Sequence, residues 1–308
     1  MEPLVLGLDV GGTASRAVVT DLNGGVLGRG EAGGGNPITI GPAAAAEQVA
    51  VAARAALTGL DSDRVRAGVM GIAGVSDFDD AETAAAFQTV WDGIGLRCRV
   101  HPVGDAVVAF AAGTDDRRGT VLIAGTGSAA AQIEDDRITR VSDGLGWLLG
   151  DHGSGFWIGR SAAAMTAERL QESAPPTPLM HAVVNAITGL DAVTADDFAQ
   201  AVYRSPLMRL AELARLVDRF ARAGDRQAIA ILDGAADHLA RIAMHARAGD
   251  RTGPIVLSGS ILRECERIRE GVRSRLTAAL PEPDIRVAGP GALGAARMAA
   301  CITTEDPR

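Results

Sequence analysis

Lysine is absent from this 308-residue chain: all 30 basic residues are arginine, set against 38 acidic ones for a formal charge of -8. That absence removes every reaction needing an amine at a fixed place. Schiff-base chemistry, Walker-type P-loops, protein-kinase active sites and S-x-x-K acylases are all excluded. Cysteine is scarce: Cys98, Cys265 and Cys301 lie too far apart for C-x-x-C metal or redox spacing, and read as reduced thiols of a cytoplasmic protein. The histidines, His101, His152, His181, His238 and His245, show no H-E-x-x-H or other zinc spacing. A surplus of positive charge is also missing, which argues against nucleic-acid binding. No basic segment precedes the first apolar run, and the longest charge-free stretch, 173–190, holds three prolines, so neither a targeting leader nor a membrane span is expected.

What is present, 47% hydrophobic and 22% charged residues, fits a soluble globular chain of about two domains. The apolar run Leu4–Leu8 ends at Asp9-Val10-Gly11-Gly12-Thr13. Strand-type segments Arg16–Leu22 and Val26–Gly30 follow, joined by an Asn23-Gly24-Gly25 turn. A Gly/Pro stretch leads to helix 43–57, strand 65–73, helix 81–91 and strand 97–103. The pattern then restarts: strand 120–124, the turn Gly125-Thr126-Gly127-Ser128, and strands 129–133 and 137–141. Strand, glycine turn, strand, strand thus occurs twice, about 115 residues apart, as expected of two related α/β lobes. A helical region spans 153–248, with amphipathic helices at 207–221 and 228–246. Strand 255–257 then runs into Ser258-Gly259-Ser260, followed by helix 263–279, strand 285–288 and helix 290–300.

Three glycine turns therefore follow three apolar strands, where α/β sheets place ligands. At the first, backbone N–H groups of Gly11 and Gly12 can approach an anion, Thr13 adds a hydroxyl, and Asp9 is placed to hold Mg²⁺ directly or through water. Gly125, Thr126 and Gly127 offer the same chemistry, and Ser258-Gly259-Ser260 is placed to border a ribose or base. Asp105, between a strand and an apolar helix, suits either a helix cap or a general base toward a hydroxyl. Asp151, in Gly150-Asp151-His152-Gly153, has the same two readings. The segment Gly28-Arg29-Gly30-Glu31-Ala32-Gly33 satisfies G-x-G-x-x-G literally, but no helix begins inside it, so it is a chance match.

In order and spacing these motifs resemble the sugar kinase/Hsp70/actin superfamily. Gly7–Thr13 and Val121–Ser128 match its two phosphate loops, Gly104-Asp105 and Gly289–Ala300 its connecting regions, and Ile255–Ser260 its adenosine motif. Gly35-Asn36-Pro37 and Gly144-Leu145-Gly146-Trp147-Leu148-Leu149-Gly150-Asp151, with Gly153-Ser154-Gly155 behind, are most similar to the N-acetylglucosamine kinase branch of the BadF/BadG/BcrA/BcrD ATPase family. The resemblance implies two ribonuclease-H-like, actin-type ATPase lobes with an interlobe cleft and a helical insertion in the second lobe. Residues 1–116 would form the sugar- and phosphate-binding lobe, with helix 290–308 packing back on it, and 117–289 the nucleotide-binding lobe.

The same resemblance implies an ATP- and Mg²⁺-dependent enzyme that phosphorylates the 6-hydroxyl of N-acetylglucosamine, with Asp105 as base. Asn36 and Asp151 would hold sugar hydroxyls, with Ser128, Ala129, Gly144, Leu145 and Gly146 around them. ATP phosphates would lie at Thr13 and Thr126. The chain departs from the branch at Ala129 (Asn there), Leu145 (Trp there) and His152 (Glu there), which keeps glucosamine and N-acetylmuramic acid open as substrates. A non-catalytic sugar sensor and an iron–sulfur dehydratase activator are the rival classes, and the cysteine spacing disfavours the second. A homodimer is the family expectation.

Overall fold

The computed structural model describes residues 2–73, 78, 80–247 and 252–305. It divides into two compact units. One comprises Met1–Val121, Ile133–Thr139 and Arg286–Arg308, and the other Leu122–Gln132 and Arg140–Ile285.

The first sheet holds β1 (Leu4–Val10), β2 (Ala14–Asp21), β3 (Val26–Gly33), β4 (Val65–Ile72) and β5 (Val100–Gly104) in the order β3-β2-β1-β4-β5. β2 is antiparallel to β1 and β3, whereas β1, β4 and β5 run parallel. Period-two alternation divides β1 between the sheet's two faces. Leu4, Leu6, Leu8 and Val10 enter one core cluster with Val49, Ala53, Phe87 and Trp91 of helices α2 (Pro42–Ala56) and α3 (Ala81–Gly93). Val5 enters the other, with Val108 of α4 (Asp105–Ala111) and Ala292, Ala295 and Ala296 of α12 (Gly291–Glu305). Leu6 and Leu8 are fully buried, each contributing about 1.5–3 kcal/mol.

Two close approaches fix helix against sheet. A side chain on Gly7 would begin 2.1 Å from the Ala292 carbonyl oxygen and 2.3 Å from the Ala296 nitrogen, so α12 lies directly on β1. On the other face Gly28 and Gly30 of β3 lie under the alanine stripe of α2, where a Cβ would meet the Ala56 and Ala52 carbonyl oxygens at 1.9 and 2.0 Å. The literal G-x-G-x-x-G is therefore strand packing and begins no helix.

The second sheet has β6 (Arg118–Ala124), β7 (Ser128–Glu134), β8 (Arg137–Asp143), β9 (Ile255–Ser258) and β10 (Ile285–Val287) in the order β10-β9-β6-β7-β8. Read from β8 inward this repeats the order of the first sheet, so the doubled strand–turn–strand–strand pattern is a repeat of topology. The helical region between β8 and β9 comprises α5 (Gly155–Gln171), α6 (Pro178–Thr188), α7 (Ala195–Arg204), α8 (Leu213–Arg222) and α9 (Arg226–Ala246). Ile158, Leu232, Leu239 and, from α11 (Glu266–Ala279), Ile268 pack with Leu122 and Leu257 in one core.

Several elements differ from the sequence expectation. The helix expected over 207–221 opens as a 3₁₀ segment, Leu207–Glu212, behind Pro206, and only then becomes α8. The helix expected from 263 to 279 breaks at Cys265, whose extended backbone separates the short α10 (Ser260–Glu264) from α11. The Gly/Pro stretch contains a one-turn helix, α1 (Pro37–Ile40). The last residues of the expected 290–308 helix, 306–308, lie outside the described residues.

Candidate active site

In the first unit, strand register sets the geometry. Val10 pairs with Ile72 and Ile72 with Gly104, so the parallel strands β1, β4 and β5 end in one row. Asp9 is one residue before that row and Asp105 one residue after it, which puts both at the C-terminal end of the parallel strands, on β1 and just past β5. Asp9 belongs to the α12 face, where Gly291 makes room: a Cβ there would begin 2.6 Å from Asp9 Oδ2. Asp105 is the first residue of α4, and the cap position is taken by Gly104, which makes no side-chain cap bond. The Asp105 carboxylate instead accepts the Ala106 N–H at 2.8 Å. Burial raises its pKa, and that hydrogen bond offsets only part of the rise.

The turn from β1 into β2 is closed by the Gly11 N–H donating to the Ala14 oxygen at 2.9 Å. The Gly35 N–H donates to the Gly11 oxygen at 3.1 Å, and a Cβ on Gly34 would lie 2.1 Å from the Gly12 oxygen, so residues 34–36 are drawn against the turn. Gly12 and Thr13 are exposed, and no atom lies within 4 Å of where a Gly12 side chain would start. Asn36 caps α1, its Oδ1 accepting the Ile38 N–H at 2.9 Å. That uses the carbonyl oxygen alone and leaves the amide nitrogen as a donor.

In the second unit the turn after β6 meets the turn after β9. Gly259 has φ +93°, and a Cβ on it would lie 2.1 Å from the Ala124 oxygen. A Cβ on Gly125 would lie 3.8 Å from Ser260 Oγ. The start of α5 is sealed onto this turn: Gly155 and Phe156 N–H groups donate to the Gly125 and Thr126 oxygens at 2.8 and 3.1 Å, and Ser154 Oγ caps the Trp157 N–H.

Asp151, 9% exposed and left-handed at φ +55°, accepts the Ser128 N–H at 3.1 Å. The Gly144 N–H donates to the Ser128 oxygen at 3.1 Å. Ala129 lies against Gly144, where an added Cβ would be 3.2 Å from its methyl carbon. Burial pushes the Asp151 carboxyl up, and the neighbouring Asp143 charge adds to this against the pull of the Ser128 N–H. Leu145 and Gly146 are exposed in the 144–150 turn, where a Cβ on Gly150 would lie 3.0 Å from the Leu145 Cβ and 2.1 Å from Asp143 Oδ1.

The structure thus collects Asp9, Gly11–Thr13, Asn36 and Asp105 in one unit, and Gly125–Ala129, Gly144, Asp151 and Ser258–Ser260 in the other. Sequence reasoning missed Asp143, and it touched Gly155 and Gly291 only as parts of longer motifs, with no role of their own. The only signal for Asp143 is an acidic residue between a strand and a glycine. Thiol chemistry is remote: Cys265 donates to Asp218 at 3.1 Å, and burial pushes its pKa up to about 12. Among the described residues no group of three or more His, Cys, Asp or Glu could hold a metal, and no helix is long and apolar enough to cross a membrane. Chemically, the first unit offers exposed turn amides with the carboxylates of Asp9 and Asp105 at the same strand ends, and the second a glycine turn beside the paired Asp143 and Asp151.

Comparison with known proteins supplies the context. Residues 6–299 match the BadF/BadG/BcrA/BcrD ATPase family. The N-acetyl-D-glucosamine kinase of Dictyostelium discoideum is 27% identical over 248 residues, 77% of each chain. The N-acetylmuramic acid/N-acetylglucosamine kinase of Clostridium acetobutylicum is 27% identical over 168 residues, 54% of each. A crystal structure from Chromobacterium violaceum that carries a provisional N-acetylglucosamine kinase name is 24% identical and has a TM-score of 0.77, covering 97% of this chain and 99% of that one. At that identity the last likeness is one of fold.

Proposed function

The chain belongs to the BadF/BadG/BcrA/BcrD ATPase family, and from that membership we propose that it is an ATP-dependent amino-sugar kinase that phosphorylates the 6-hydroxyl of N-acetylglucosamine. The observation that carries the reading is the pair of carboxylates, Asp9 and Asp105, flanking one row of parallel strand ends beside an open glycine turn. The curated relatives from Dictyostelium discoideum and Clostridium acetobutylicum support the substrate class.

Asp105 takes the proton of the attacking hydroxyl. Its raised pKa brings the base nearer to the pH at which it works, which favours proton transfer. Asp151, with Ser128, Ala129 and Gly144 around it, and Asn36 bind the sugar hydroxyls. In the Gly11–Thr13 and Gly125–Gly127 turns the Gly11 and Gly125 N–H groups close the turns onto the Ala14 and Gly127 oxygens, so the amides of Gly12, Thr13, Thr126 and Gly127 hold the ATP phosphates, and Ser258–Ser260 borders the adenosine. Asp9, a carboxylate at the end of β1 beside the exposed Gly12–Thr13 turn, is the residue that would hold Mg²⁺, a hard cation commonly held by one or two carboxylates with phosphate and water. Bound there, the ion would neutralise phosphate charge. A homodimer accompanies this reading.

Two outcomes are expected. The acid limb of kcat/KM against pH should lie above the ordinary Asp value of about 4, because Asp105 must be ionised and burial raises its pKa. A limb at or below that value would remove Asp105 as the base. Gly12→Ala should raise the KM for ATP by about fivefold, since its methyl group enters space kept open for phosphate, while stability changes by about 0.5 kcal/mol or less. An unchanged ATP KM would place the phosphates elsewhere. The function itself is tested by ATP consumption across N-acetylglucosamine, glucosamine, N-acetylmuramic acid and glucose. The proposal expects the highest kcat/KM with N-acetylglucosamine, and no turnover with any sugar despite tight sugar binding would favour a sensor.

A further inference from the structure

We propose that Asp143 is a positioning residue that holds the backbone of Asp151, whose sugar-binding carboxylate Ser128 joins to the second glycine turn. The inference rests on the kinase reading above, with Asp151 as a sugar ligand. Asp143 ends β8 in a left-handed conformation, φ +63°, and its side chain is almost fully buried. Its Oδ1 accepts the Asp151 N–H at 2.8 Å, and its Oδ2 accepts the His152 N–H at 3.0 Å. The His152 Nδ1 lies 3.0 Å from the same Oδ2. Ser128 closes the circuit. It gives its N–H to Asp151 Oδ1 and its hydroxyl to the His152 oxygen at 2.9 Å, and its own oxygen takes the Gly144 N–H.

Left-handed backbone at a non-glycine residue costs on the order of 1 kcal/mol or more and persists only where surrounding bonds over-determine it. Asp151 is such a residue, and Asp143 accepts the backbone bonds of its own and the next peptide. A carboxylate suits this position because it is acceptor-only. An asparagine would turn a donor toward one of two N–H groups. The charge acts as well. Burial draws the Asp143 carboxyl up, but the N–H groups and ring of His152 and the Asp151 N–H outweigh it and hold it below the usual range. Asp143 is therefore an anion beside Asp151. The other charged and titratable groups in this surrounding are His152, His238 stacked on it with ring centroids 5.2 Å apart, and Arg241 on His238.

The test uses the full-length enzyme with Asp143→Asn and Asp143→Glu, measuring KM for N-acetylglucosamine and for ATP across pH, with thermal melts alongside. Asp143→Asn should raise the sugar KM at least tenfold and the ATP KM less than threefold. It should also move the acid limb of sugar binding to lower pH, because the anion that raises the Asp151 pKa is gone. Asp143→Glu keeps the charge but shifts the carboxylate, so it should raise the sugar KM without moving that limb; it carries the test if the asparagine variant does not fold. Wild-type sugar KM in the folded variants, or equal losses for sugar and ATP, would overturn the inference while leaving the kinase reading intact. A wild-type enzyme inactive on every amino sugar would overturn the kinase reading and this inference together.

Discussion

Replacing Asp105 with asparagine is expected to lower turnover by about a hundredfold or more, which is about 2.7 kcal/mol or more of transition-state stabilisation. The substitution is nearly isosteric and keeps a carbonyl oxygen for the Ala106 N–H, so the start of α4 need not change. Stability should move the opposite way. The folded-state pKa of Asp105 is raised, so its contribution to stability is present below the unfolded value of about 4 and is lost as pH rises through the folded value. At neutral pH the buried charge is a cost that asparagine lacks. The variant should thus melt at or above the wild-type temperature and still bind sugar and ATP. Loss of activity with loss of fold would make Asp105 a structural residue, and full activity would remove it from the mechanism.

Gly7→Val is expected to have the largest structural effect. A Cβ at position 7 begins 2.1–2.3 Å from backbone atoms of Ala292 and Ala296, and no rotamer relieves a clash with backbone. Over-packing of this kind costs about 1–3 kcal/mol or more. The thermal midpoint should therefore fall by about 2–10 °C, with α12 lifted from the sheet. Because α12 also brings Gly291 to Asp9, ATP binding should weaken along with the fold. Wild-type stability in this variant would contradict the close packing of α12 on β1.

These two positions also mark what the sequence discloses. The apolar run before Asp9, the glycine turns at 11–12 and 125–127, and the doubled strand pattern are local, and local signals carried the two-unit α/β fold. Asp105 was legible as a residue after a strand, but its cap reading gave way because Gly104 occupies the cap. The need for glycine at position 7 was not legible, because it arises from a helix near the other end of the chain. Asp143 was hidden for a related reason. Its role exists only once a left-handed path brings residues 151 and 152 back onto it, and Asp143 and Asp151 adopt positive φ without the glycine that would advertise it. The break at Cys265 was masked by an unbroken run of helix-forming charged residues on either side.

The most direct test of amino-sugar kinase activity is to identify the product formed from N-acetylglucosamine and ATP with Mg²⁺, using phosphorus NMR and mass spectrometry on wild-type enzyme and Asp105→Asn. The expected result is one equivalent of ADP, a phosphomonoester on the sugar 6-oxygen, and about a hundredfold or more slower formation in the variant. ATP hydrolysis to free phosphate without a sugar ester, or a phosphate on the anomeric oxygen, would contradict it.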